Sequence, residues 1–264
     1  MSEPNEQNLP KRFGEKRLFL SPEAVLKYED LMKSIKGNRI FTSPNLAYYD
    51  REEDLVKAAI LVSSEGESFI KKHRGILNLI DKGLRLMEHS LEPGTFKERN
   101  EVVLEEGIEI KRISRGGQSN VYLLTVDGEK YVIKTHIPRK IGSGDVRQPY
   151  INEMLQVQLL KRDLGNELEK LGVVLPTFLF ASGQVVCVKF EEGERPEEHE
   201  LINILPPLVE KIRNYITNQI RQGNSLFQNI DLDLVSDLER KIKVENFIKR
   251  PDGKFVLIDP FFLL

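Results

Sequence analysis

The chain has 264 residues, 40% hydrophobic and 30% charged, the balance of a soluble globular protein with room for one large domain or two small ones. Its net charge of −2 gives no ground to expect nucleic-acid or membrane-surface partners. A single cysteine, Cys187, excludes an intrachain disulfide and points to a reducing, cytoplasmic setting.

The N-terminus, MSEPNEQNLPKRFGEKR, is polar and has no signal-peptide core. Residues 1–17 read as a flexible tail. Residues 18–100 read as a helical domain. Ser21-Pro22 suits a helix start, an N-cap oxygen followed by a proline whose missing N–H costs nothing there. Asp50 with Glu53 resembles a capping box ahead of LVKAAILV. Phe69, Ile70, Leu77, Ile80, Leu84 and Met87 then recur at helical spacing and predict one apolar face of a long helix. The charged stretch LEPGTFKERNE (91–101), with a Pro-Gly turn, reads as a domain boundary.

From about residue 101 to residue 264 the pattern predicts an α+β arrangement of two lobes. IEIKRIS, VYLLTV and KYVIKTHI are short and β-branched, and the second connection, DGEK, carries an Asp-Gly hairpin signal. A helix is expected over about 150–171, then strands VVLPTFLFA and QVVCVKFEE. Pro176, Gly183 and Gln184 break this window, so it reads as buried strands rather than a membrane span. A helix over about 207–223 and a hairpin turning at Asp252-Gly253 complete the order. The first lobe would span about 105–192 and the second about 193–264.

The chemistry-bearing residues begin in SRGGQSNVYLLTVDGEKYVIK (114–134). Gly116 and Gly117 would let the backbone approach phosphate oxygens, because no side chain intervenes. Taken alone they read as a hairpin turn. Lys134 on the third strand would reach those phosphates; taken alone it reads as a solvated strand residue. Order and spacing together favour phosphate binding.

GGQSNVYLL resembles the nucleotide-binding loop of the aminoglycoside phosphotransferase and choline kinase branch of the protein-kinase-like superfamily. The resemblance covers about residues 105–264 and implies a two-lobed kinase-like fold with a truncated second lobe. It implies that Gly116, Gly117 and Ser119 cradle the phosphates of ATP. Lys134 would match the third-strand lysine, and Glu153 the glutamate that orients it. Lys189, Phe190 and Glu191 would be the linker that presents backbone groups to adenine, with Cys187 an ordinary buried residue nearby. Asn246 and Asp259, thirteen residues apart in KVENFIKRPDGKFVLIDP, would match the Mg²⁺ ligands, hard oxygens suited to that ion. Read without the resemblance, Glu153 is a surface carboxylate, Asn246 a turn residue and Asp259 a strand-end cap.

One departure concerns catalysis. Five residues before Asn246, where the family carries its catalytic aspartate, stands Lys241. A charged lysine cannot accept the acceptor's hydroxyl proton, and losing a general base costs about 10²- to 10⁴-fold. Asp231, Asp233, Asp237 and Glu239 lie just upstream, and Asp237 is the candidate substitute base; all four also read as one acidic, solvated helix face. The chain runs only five residues beyond Asp259, so a minimal second lobe is expected. The phosphoacceptor or a protein partner would then engage the N-terminal helices. Three functions stay open: a phosphotransferase, a pseudokinase-like module that binds nucleotide without transfer, or a protein that keeps the fold without nucleotide and serves only in assembly.

Overall fold

The computed structural model describes residues 16–19, 59–89, 100–115, 119–136, 150–182, 185–224, 226–227, 230, 235–236, 238 and 242–258. Its described elements run β1 (Lys16–Phe19), β2 (Ala59–Val62), α1 (Ser64–Lys72), α2 (Ile76–His89), β3 (Glu101–Glu105), β4 (Ile108–Arg115), β5 (Ser119–Val126), β6 (Glu129–His136), α3 (Tyr150–Lys170), β7 (Val173–Val174), β8 (Phe178–Ala181), β9 (Val185–Lys189), α4 (Glu198–Leu201), α5 (Leu205–Arg221), β10 (Phe247–Lys249) and β11 (Phe255–Leu257). The chain is α+β. Eight strands form one sheet in the order β1-β2-β8-β9-β6-β5-β4-β3, and three form a second, β10-β11-β7.

The centre of the large sheet follows local chemistry closely. β5 alternates half-buried and buried residues along its whole length, and β6 does so from Tyr131 onward, the period-2 signature of a strand whose two faces differ. Their connection is Asp127-Gly128, both at positive φ (51° and 82°). That is the backbone of a two-residue hairpin turn, and it explains the Asp-Gly pair. The predicted order of three strands, helix, two strands, helix and hairpin is present in β4 to β11 with two additions, a third strand between the long helices and the short helix α4.

Two cores hold the sheet. On one face, Tyr122, Leu124, Ile133 and Cys187 pack against α1 and α2 through Phe69, Leu77, Ile80, Leu84 and Met87. On the other, Leu61, Ala181 and Val186 pack against α3, which also meets α5 and the β10–β11 hairpin through Leu208, Phe227, Phe247 and Phe255. α3 therefore lies between the large sheet and the C-terminal elements.

Several sequence expectations need correction. Lys16 and Arg17, read as the end of a tail, begin β1, which pairs in parallel with β2. The LVKAAILV segment is a strand over Ala59–Val62, not a helix. Ile60, Leu61 and Val62 are all essentially inaccessible and point to alternate cores. A short apolar run buried on both faces suits an inner strand, and its periodicity cannot tell it from a helix. The single long helix is two, α1 and α2, parted near Gly75. VVLPTFLFA splits as well: Val173-Val174 pairs in parallel with β11, and only Phe178–Ala181 joins the large sheet. The expected helix start at Ser21, the capping box at Asp50 and most of the 91–101 boundary lie outside the described residues.

α1 docks by unusually close contact. Ser63 caps it, accepting from the Gly66 N–H at 3.0 Å, while the Ser63 hydroxyl donates to the Phe178 carbonyl at 2.6 Å. A Cβ at Gly66 would overlap the Leu179 backbone carbonyl. Only glycine lets this helix sit so near β8. No helix among the described residues is long and apolar enough to cross a membrane.

Candidate functional site

The pleat of β5 and β6 assigns their residues to sides. Tyr122 and Ile133 belong to the closed face against α1 and α2. Val121 and Leu123, and on β6 Val132 and Lys134, take the other face and are half-buried. Register joins them: Val121 lies opposite Lys134, and Leu123 opposite Val132. Val132 in turn lies opposite half-buried Val188 of β9. The result is an apolar platform with a lysine at one end and the β9 linker at the other.

The helix side of this site is set by an aromatic stack. His136, two residues beyond Lys134 on the same side of β6, lies flat against Tyr150, the first residue of α3, with centroids 4.1 Å apart and planes 8° from parallel. Glu153 sits one turn further along α3 and is half-buried. The stack thus brings the Lys134 stretch and the Glu153 turn alongside each other. Ser119 opens β5, half-buried and opposite His136.

Lys189 is exposed, while Phe190 and Glu191 are half-buried. The Phe190 N–H donates to the Lys130 carbonyl at 3.2 Å. Beyond them the linker is stitched to β10: Glu194 and Lys249 exchange backbone hydrogen bonds of 3.1 and 2.8 Å. A Cβ at Gly193 would overlap the Lys249 carbonyl. Cys187 is fully buried, and burial pushes its thiol well above the usual range.

Asn246 closes the short 3₁₀ turn Val244–Asn246 that leads into β10. Its side-chain oxygen accepts from the Lys243 N–H at 2.9 Å. Its main-chain carbonyl accepts from the Ile258 N–H at 2.9 Å, which holds the residue before Asp259 beside this turn. An amide oxygen has two lone pairs, so Oδ1 keeps one for a hard cation such as Mg²⁺. No group of three or more His, Cys, Asp or Glu that could hold a metal occurs among the described residues. An ion here would depend on Asn246, Asp259, phosphate oxygens and water. Gly116, Gly117, Asp237 and Asp259, with Lys241 and the other upstream carboxylates, lie outside the described residues.

Register and the stack put Ser119, Lys134 and the Glu153 turn on adjoining stretches of β5, β6 and α3; Asn246 lies on the turn before β10, the strand with which Glu194 pairs. Sequence reasoning missed the contributions of Leu123 and Val188 and the His136–Tyr150 stack. Alternation in SNVYLLTV and KYVIKT held the signal for the platform; the stack had none, because it depends on how α3 packs.

No protein-family model matches the chain, and no curated protein sequence does. Among solved structures it is similar to the ADP-bound aminoglycoside phosphotransferase APH(2'')-Ib, at 13% identity, 57% of this chain, 64% of that one and a TM-score of 0.26. It is also similar to APH(2'')-IIa in complex with gentamicin, at 15% identity, 67% of this chain, 69% of that one and a TM-score of 0.30. Choline kinase from Cryptosporidium parvum Iowa II matches at 12% identity, 67% of this chain, 63% of that one and a TM-score of 0.31. The chain spans less than two thirds of the length of the first of these. TM-scores this low carry no inference about activity, so the functional reading rests on this chain's own strands and side chains.

Proposed function

We propose that this chain is a minimal kinase-like protein that binds ATP with Mg²⁺ and transfers the γ-phosphate to an acceptor. The observation that carries the reading is the platform: half-buried Val121, Leu123 and Val132 on one face, bordered by Val188 where it packs against the α3-side core, and ending in Lys134 beside the Glu153 turn of α3. A flat base on half-buried valines and leucine removes apolar area from water, and the linker backbone supplies polar groups at its edge. Lys134 would meet the phosphates, oriented by Glu153, with Gly116, Gly117 and Ser119 supplying loop donors. Mg²⁺, held by Asn246 and Asp259, would neutralise phosphate charge. Catalysis in this class is mostly positioning and charge stabilisation, so Asp237 as a substitute base would suffice for slow transfer.

The second reading is a pseudokinase-like regulatory module, favoured by Lys241 in the place of the catalytic aspartate. It binds nucleotide and reports occupancy to a partner without turnover. Calorimetric titration with ATP, with and without Mg²⁺, tests what the two readings share. Lys134→Ala should weaken binding at least about tenfold, the scale of a lost charge-assisted contact. Unchanged affinity would remove the site assignment. Transfer to a small-molecule panel then separates the readings, and Asp237→Asn slows turnover only if Asp237 is the base.

A further inference from the structure

A recess of about 720 Å³ opens beside the linker. Its three walls are the β5–β6 turn (Gly128–Tyr131), the linker (Lys189–Glu192) and the β10–β11 turn (Arg250–Asp252). Tyr131 and Lys189 are register partners. By alternation they take the side of the sheet opposite Val132 and Val188, while Lys130 and Phe190 take the platform side, so the recess wraps the end of the sheet. The volume is in the range of small-molecule sites, about 300–1,000 Å³.

Most charges around it already have partners. Glu129 accepts from the Tyr131 hydroxyl and pairs with Lys72 at 3.0 Å. Lys130 Nζ lies 5.7 Å over the Phe190 ring, and Arg250 lies 3.4 Å from Asp252. Lys189, Glu191 and Glu192 form no side-chain hydrogen bond or ion pair among the described residues, and of these three only Glu191 is half-buried. Burial pushes its carboxyl above the usual range, with Arg250 across the recess the strongest opposing influence. The two side chains act on each other yet do not meet.

A carboxylate on one wall and a guanidinium on another, not paired with each other, give the recess zwitterionic character. An ammonium would relieve the desolvation of Glu191. A carboxylate would match the planar fork of Arg250, which can serve it and Asp252 together. We propose that this recess binds a free α-amino acid, ammonium on Glu191 and carboxylate on Arg250, with its side chain toward Phe190 and Tyr131. Because the walls come from both lobes and the linker between them, the bound ligand ties the lobes together. The site shares Lys189, Phe190 and Glu191 with the linker proposed to face adenine but uses their side chains rather than their backbone, so it is tested without nucleotide.

The test uses the full chain without nucleotide. Its thermal unfolding is followed with each of the twenty L-amino acids at about 10 mM, and with the N-acetyl amide of any that acts. At least one amino acid should raise the melting temperature by about 3 °C, as expected near ten times the dissociation constant. The N-acetyl amide, which lacks both charges, should have no effect, and Glu191→Gln and Arg250→Met should abolish the shift. If either substitution alone lowers the melting temperature, calorimetry on the unsubstituted chain with the two ligand forms decides. No shift with any amino acid, or equal binding of the N-acetyl amide, overturns the proposal.

Discussion

The two faces of the large sheet are built from the same strands and do opposite things. Tyr122, Leu124, Ile133 and Cys187 on one face are fully buried against α1 and α2. Val121, Leu123, Val132 and Lys134 on the other are half-buried, although α3 covers the neighbouring strands β8 and β9. A strand carries two residue sets at period 2, so one set can be spent on stability while the other stays available to a ligand. The contrast predicts that substitutions one residue apart on β6 have different consequences.

The largest effect is expected on the closed face. Ile133→Ala should cost about 3 kcal/mol or more, the lost burial plus an unfilled cavity, and leave nucleotide affinity unchanged in the fraction still folded. Denaturant unfolding measures the first and calorimetry the second. Gly66→Ala comes next. Its added methyl meets backbone, which cannot rotate away, so a loss of about 2–3 kcal/mol is expected. Val132→Ala should cost only about 1 kcal/mol, as suits a half-buried side chain, and should weaken ATP binding. Equal destabilisation by Ile133→Ala and Val132→Ala would erase the distinction between the faces.

Two finer tests sharpen it. Gly165→Ala adds a methyl to the interior of α3 with only the Lys161 side chain in reach, at 3.8 Å. Where Gly66→Ala destabilises, this change should stabilise by about 0.5–1 kcal/mol through helix propensity. Cys187 reports on the closed face without mutation. A thiol buried and held protonated should resist alkylation at pH 8 and react only as fast as the chain opens. Reaction at the rate of a free thiol would mean that this face is open.

How much of this was legible in the sequence varied with the kind of signal. β4, β5, β6 and α3 were readable, because strict alternation, an Asp-Gly turn and a long helical period each act locally. Ser119, Lys134 and Glu153 are candidates from order and spacing, and what the fold adds is the place of the β5, β6 and α3 stretches that carry them. β2 was misread, because Ala-Ile-Leu-Val has no period to separate strand from helix. Its strand state comes from pairing with β1 and β8, both remote in sequence. The parting of β7 from β8 was likewise hidden: Val173-Val174 joins β11, more than eighty residues away. The opposed pair Glu191 and Arg250 was invisible for the same reason.

The central claim is that the open face binds ATP with Mg²⁺. The most direct measurement is thermal unfolding of the intact chain with ATP, with Mg²⁺, with both and with neither. Ligand at about 100 times its dissociation constant stabilises by about 2.7 kcal/mol, a shift of roughly 5–10 °C for a chain of this size. The account predicts that shift with ATP and Mg²⁺ together, and its loss in Lys134→Ala. No shift with ATP in large excess and the chain folded would contradict it, and would leave the platform without the ligand proposed for it.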